Sequence, residues 1–188
     1  MNLLYPYPVG TEYEVRQKES MEFLQEIVNL GTLPITIIAR TCNTVFDYSD
    51  AIGNLWQCGD LVIMEHDIVP TLRDLELMRI LLSRHPLVAF PYLLYPQSTL
   101  LERIELAHRV VNDTKLGWRW ANTVDDLEVD FAGLGFSGIS QQVQQLFSRE
   151  WFYDSHPWVT LDTELSLKLQ RYGLRWYMPK VFVKHNHE

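Results

Sequence analysis

Leu61-Val62-Ile63-Met64-Glu65-His66-Asp67-Ile68-Val69-Pro70 is the stretch that decides the fold: an apolar run that stops abruptly at two acids one residue apart. The run reads as a buried strand. Side chains alternate faces along a strand, so Glu65 and Asp67 are expected on one side and His66 on the other. Two carboxylates on one face repel each other unless a cation lies between them, and oxygen ligands of this kind suit Mg2+ or Mn2+. The competing reading is a pair of solvated acids where a strand meets a loop.

Working outward, strand and helix patterns alternate on both sides of this run. Upstream, residues 3–7 form a short apolar strand cut off by Pro6 and Pro8, and residues 11–30 have helical spacing with Gly31 placed as a C-terminal cap. The β-branched run 34–39 is a second strand, and residues 45–58 hold a helix closed by Gly59. Downstream, residues 71–84 form a helix with Thr71 as its N-cap, and residues 88–94 a further strand. Such alternation predicts an α/β domain with a largely parallel sheet. In such sheets ligands gather outside the carboxyl ends of the strands, where Arg40 and the Glu65/Asp67 pair would both lie.

The second half changes character. Residues 98–112 have a helical pattern, while residues 116–131, with Trp118, Trp120, Val124, Leu127 and Val129, suit antiparallel strands. Residues 133–140 read as a glycine-rich turn leading into a helix over 141–147. Their spacing fits neither GxGxxG nor GxxxxGK[ST], so the segment with Gly133 and Gly135 reads as a tight structural loop that lets a substrate approach the backbone closely. The aromatic segment 151–158, ending in Trp158, reads as an irregular substrate-facing loop. Residues 161–173 mark a helix stopped by Gly173, with Asp162 at its start, and two short strands follow around Pro179. His185 and His187 share a face if the last strand persists. His66 is expected to be structural, and His85 and His108 fall on predicted helices.

Composition narrows the function classes. The chain has 188 residues, 47% of them hydrophobic and 12% aromatic, enough for one well-packed domain over 1–188. The formal net charge of −8, with no basic tract, speaks against nucleic-acid binding. Cys42 and Cys58 have no CxxC or zinc-like spacing and read as reduced thiols. The N-terminal residues lack the pattern of a signal peptide and no apolar run approaches the length of a membrane span, so a cytoplasmic protein is expected.

Taken together, the acid-x-acid motif at Glu65 and Asp67, the glycine-aromatic turn at 133–139, the Asp162/Glu164/Leu165 helix start with Gly173 and Arg175 beyond it, and the histidine-bearing last strand resemble the GT-A glycosyltransferases, most closely those like family 2. The resemblance spans residues 34–187. It implies a Rossmann-like GT-A fold, a mixed and mainly parallel sheet flanked by helices, with residues 1–97 as the nucleotide- and metal-binding half and residues 98–188 as the acceptor-side half. It implies transfer of a sugar from a nucleotide-diphosphate sugar to a hydroxyl of a saccharide or other acceptor, inverting at the anomeric carbon.

By the same resemblance, Glu65 and Asp67 hold Mn2+ or Mg2+ against the donor diphosphate, and His185 supplies a further ligand. Asp162 is the general base, with Glu164 as the alternative and an N-cap as the purely structural role for Asp162. Two departures stand out. The first strand is short and reads Tyr5-Pro6-Tyr7-Pro8, and Arg40-Thr41 stands where acids that hold the base and ribose are usual. Tyr5 or Tyr7 is therefore expected to pack on the base and Arg40 to meet a polar donor group. Two other classes stay open: a non-catalytic GT-A-like binding or assembly module, and a metal-dependent phosphoryl-transfer or hydrolytic enzyme.

Overall fold

A computed structural model of the chain describes residues 1–31, 33–92, 107–112, 115–120, 127–154 and 160–186. The apolar run forms strand β3 (Leu61–Met64), buried along its whole length as expected of a strand covered on both faces. Before it come β1 (Asn2–Tyr7), α1 (Thr11–Leu30), β2 (Thr36–Thr41) and α2 (Val45–Leu55). After it come β4 (Ile68–Val69), α3 (Leu72–Leu82) and β5 (Leu87–Ala89). The helix boundaries follow local chemistry. Gly31 caps α1 in the left-handed conformation (φ 58°), and Thr44 and Thr71 open α2 and α3 with reciprocal capping boxes to Asp47 and Asp74.

The remaining described elements are β6 (Ala107–Asn112), β7 (Lys115–Trp120), β8 (Leu127–Val129), β9 (Phe136–Ile139), α4 (Gln141–Gln144), α5 (Glu150–Asp154), α6 (Leu161–Gln170), β10 (Trp176–Met178) and β11 (Lys184–His185). The main sheet has seven strands in the order β2-β1-β3-β9-β5-β10-β8. β1 pairs in parallel with β2 and β3, β10 in parallel with β5, and β9 and β8 run against their neighbours. Five strands thus point one way and two oppose them, a mixed but mainly parallel sheet.

Strand alternation divides the core in two. Leu4, Leu61, Ile63, Leu87 and Ala89 face α2, α4, α5 and α6, whereas Leu3, Tyr5, Val62, Met64 and Val88 face α1 and α3. Pro6 is tolerated inside the sheet because pairing of β1 with β3 ends at Leu4, before Pro6 would have to donate to it, and Pro8 lies beyond the strand.

Three sequence expectations are corrected. Residues 107–112 are strand, not helix: they pair antiparallel with β7, in keeping with the β-branched Val110-Val111. The helical expectation for residues 98–106 lies outside the described residues. The glycine-rich segment is only partly a turn, because residues 136–139 run as β9 through the sheet interior between β3 and β5. Gly138 is needed there, since a Cβ would lie 2.6 Å from Met78 Sδ and 2.9 Å from Leu82 Cδ1. Finally, residues 150–154 form the short helix α5, anchored by Phe152 against Trp56 with ring centroids 4.7 Å apart.

Candidate functional site

The parallel strands β1, β2 and β3 end on one edge of the sheet, and there a cavity of about 540 Å³ opens. It is lined by Pro6 of β1 and Pro8 just after it, Tyr13 of α1, Cys42 to Val45 and Tyr48 around the start of α2, Glu65 and His66, Leu134, and Thr160 to Asp162 at the start of α6. No Lys or Arg is among these lining residues.

The acid motif does not continue the strand. β3 stops at Met64, and the Ile68 N–H donates to the Glu65 carbonyl (3.1 Å), closing a turn over residues 65–68. Alternation therefore no longer governs Glu65, His66 and Asp67, which corrects the expectation that His66 faces away: it lines the cavity beside Glu65.

The structure pairs Glu65 with Tyr48, whose hydroxyl donates to Glu65 Oε1 (3.0 Å). Burial, then the adjacent Glu65 carboxylate, pushes the Tyr48 hydroxyl well above its ordinary pKa. The Glu65 N–H is fixed to the Gly135 carbonyl (2.8 Å). Asp67 is paired with His185, at 3.1 Å between Oδ2 and Nε2, because β11 pairs antiparallel with β4 and sets His185 opposite Ile68. His66 Nε2 lies 4.0 Å from the same Asp67 oxygen and is buried without a hydrogen-bond partner among the described residues. Burial pushes the Asp67 carboxyl up, but the His185 hydrogen bond and the charges of His66 and His185 more than offset it and hold it below the ordinary carboxylate range. Burial pushes His66 down, only partly opposed by Asp67.

Whether these groups suit a divalent ion is a question of chemistry and of disposition. The Asp67 carboxylate and the imidazoles of His185 and His66 are ligands of the right kind. Among the described residues, however, no group of three His, Cys, Asp or Glu side chains is disposed to hold an ion.

Asp162 is the second residue of α6, and the N-cap is Thr160. Its Oδ1 takes the Thr163 N–H (2.8 Å) and the Thr160 hydroxyl, leaving Oδ2 without a partner among the described residues. Glu164 follows in the same first turn but does not line the cavity.

Other expected site residues fall elsewhere. Tyr5 is fully buried, stacks on Tyr7 (5.8 Å) and bonds Ser20 (2.9 Å), so its ring has no surface open to a base. Alternation turns Tyr5 and Tyr7 toward α1 and leaves Pro6 and Pro8 on the cavity. Arg40 is exposed on the edge strand β2 and is not a lining residue. Gly135 is tightly packed: a Cβ there would lie 2.6 Å from the Tyr92 ring and 3.2 Å from Ile68. Gly133 is half-buried in the segment leading to β9. Trp158 and His187 lie outside the described residues.

Sequence reading missed Tyr13, Asn43 and Tyr48. The signal for the last two was the Thr44-x-x-Asp47 capping box, which fixes where α2 starts and therefore which side chains flank its first turn.

No family model matches this sequence, and no curated protein matches it closely enough to show kinship. Among solved structures, A197 from STIV superposes with a TM-score of 0.62 at 15% identity, covering 100% of this chain and 87% of that one. GalNAc-T7, a GT-A glycosyltransferase crystallised with UDP, GalNAc and Mn2+, superposes with a TM-score of 0.56 at 10% identity. That match covers 100% of this chain but only 43% of GalNAc-T7. Among the described residues no helix is long and apolar enough to cross a membrane. At these identities the likeness shows the fold alone, and the fold is GT-A-like.

Proposed function

We propose that this chain is a metal-dependent glycosyltransferase that moves a sugar from a nucleotide-diphosphate sugar to an acceptor hydroxyl. The observation that carries the reading is the cavity at the carboxyl edge of β1–β3, which Glu65, at the end of β3, and Asp162, from the first turn of α6, both line. The GT-A-like fold supports it, as does the UDP and Mn2+ bound by the neighbour GalNAc-T7.

Residues 1–97 form the donor half and residues 98–188 the acceptor half. The acceptor hydroxyl oxygen attacks the anomeric carbon while its proton passes to Oδ2 of Asp162, and the bond from that carbon to the diphosphate breaks with release of the nucleoside diphosphate. Oδ1 is already engaged by Thr160 and Thr163, which holds the carboxylate in place for this transfer. Asp67 and His185 would be the two protein ligands of a divalent ion, and Glu65 lines the cavity with its carboxylate held by Tyr48. Such an ion would supply positive charge, which the described lining residues do not, to offset the charge that grows on the leaving diphosphate.

The test is a thermal-shift titration of nucleoside diphosphates with and without Mn2+, in the wild type and in Asp162→Asn. Wild type gains stability from nucleotide only when Mn2+ is present, and Asp162→Asn keeps that gain while losing sugar transfer. Equal stabilisation with and without Mn2+ would overturn the reading. Metal-dependent binding with no transfer to any acceptor would place the chain among non-catalytic modules, and phosphate release without transfer among hydrolases.

A further inference from the structure

Asn43 sits on the cavity wall in the loop between β2 and α2, and its side-chain amide is locked in one orientation. The Val9 backbone N–H lies 2.9 Å from the amide oxygen, Oδ1. A backbone N–H can only donate, so the amide atom that faces it must be the oxygen, and the amide nitrogen is turned the other way. The rest of the loop is equally fixed: the Asn43 and Thr44 N–H groups donate to Asp47 Oδ2 (3.0 and 2.9 Å), and the Cys42 N–H donates to the Tyr7 carbonyl (2.8 Å). Nδ2 donates to no protein group among the described residues. The amide nitrogen of this cavity-lining side chain is therefore a free pair of N–H donors among the described residues, while Oδ1 stays turned toward the Val9 backbone.

The place of this donor in the cavity suggests what it meets. In the sheet order β2-β1-β3, Asn43 follows β2 and Glu65 follows β3, with Pro6 of β1 and Pro8 just after it between them. Two strand spacings separate the two flanks, about 10 Å. The β3 flank carries the Glu65 carboxylate and the His66 imidazole, whereas the β2 flank offers Cys42, Asn43 and Thr44, and Pro6, Pro8 and Tyr13 also line the cavity. The Cys42 thiol is pushed up to about 11, by burial first, so it adds no charge there at neutral pH. A nucleoside diphosphate laid across the cavity puts its diphosphate at the β3 flank and its base at the β2 flank.

We infer that Asn43 selects the donor's nucleobase: its Nδ2 donates to an exocyclic ring carbonyl, so the site takes a keto base in preference to one bearing an amino group at that position. The inference rests on the nucleotide-sugar reading above and extends it to the class of base. An acid at this position would read the opposite polarity, which gives the test its contrast.

Binding of UDP and CDP, and of GDP and ADP, is measured by calorimetry at fixed Mn2+ on the full chain. Within each pair the carbonyl read by Nδ2 in the first member is replaced by an amino group in the second. The wild type is expected to bind the keto member on the order of tenfold more tightly, because the amino member leaves both its own donor and Nδ2 unpaired. In Asn43→Asp, Oδ1 still serves Val9 while Oδ2 becomes an acceptor, and the ratio falls to one or inverts. Any general weakening from the added negative charge acts on both members and cancels in the ratio.

A wild-type ratio near one in both pairs overturns the inference, as does a preference that survives Asn43→Asp unchanged. The wild-type ratio decides even if the variant does not fold. If none of the four nucleotides binds with or without Mn2+, the nucleotide-sugar reading itself falls and this inference with it.

Discussion

Removing the His185 side chain tests the joint on which the candidate site depends. His185 Nε2 meets Asp67 Oδ2 at 3.1 Å, and the two side chains are only 12% and 17% exposed. A hydrogen bond to a charged group in such a place contributes about 1.5–3 kcal/mol. In a domain of this size each kcal/mol moves Tm by about 2–4 °C, so His185→Ala should lower Tm by about 3–12 °C. Loss of the imidazole also removes packing against Tyr92, 5.1 Å away between ring centroids, so the single variant overstates the bond.

A double-mutant cycle with Asp67→Ala separates the two effects, read by urea unfolding at pH 7. The coupling energy should be about 1.5–3 kcal/mol. Asp67 has a depressed pKa, so its contribution is present above the ordinary carboxylate pKa and is lost as pH falls through the lowered value. The coupling should therefore shrink once the pH drops below about 4. Additivity of the two substitutions to within about 0.5 kcal/mol at pH 7 would refute the claim that β11 closes onto the acid turn through this pair.

Two further outcomes follow from packing and hydrogen bonding. Tyr48→Phe removes the donor to Glu65 (3.0 Å) and should cost about 1 kcal/mol, seen as a Tm lower by about 2–4 °C; an unchanged Tm would mean that the bond contributes nothing. Gly138→Ala forces a methyl to within 2.6 Å of Met78 Sδ, and the overpacking cost of about 1–3 kcal/mol should exceed the roughly 0.4–1 kcal/mol gained by restricting the unfolded chain. Its urea midpoint should fall, and a rise would show that Met78 and Leu82 yield freely.

Much of the first half of the chain was legible because its signals are local. The apolar run of β3, the cap of α1 at Gly31 and the Thr71 capping box each depend on a few neighbouring residues, and each lies where the sequence places it. β9 was not legible as a strand. Phe136-Ser137-Gly138-Ile139 looks like a turn by composition, and it becomes a strand because β3 and β5 leave a gap that it fills from both sides. Its glycine belongs to the helix packed above it, not to a turn.

The site divides along the same line. Sequence alone determined that two acids follow a buried strand at the carboxyl edge of an α/β sheet, since apolar patterning and strand–helix alternation are properties of the chain itself. Tertiary structure decided what each acid faces. A turn at residues 65–68 broke the alternation that would have put Glu65 and Asp67 together, gave Glu65 to Tyr48 and Asp67 to His185, and brought His66 to the cavity. It also turned Tyr5 into the core and left the locked amide of Asn43 on the wall. Those assignments depend on hydrogen bonds between residues far apart in the chain, and such bonds have no local signature for a sequence reader to find.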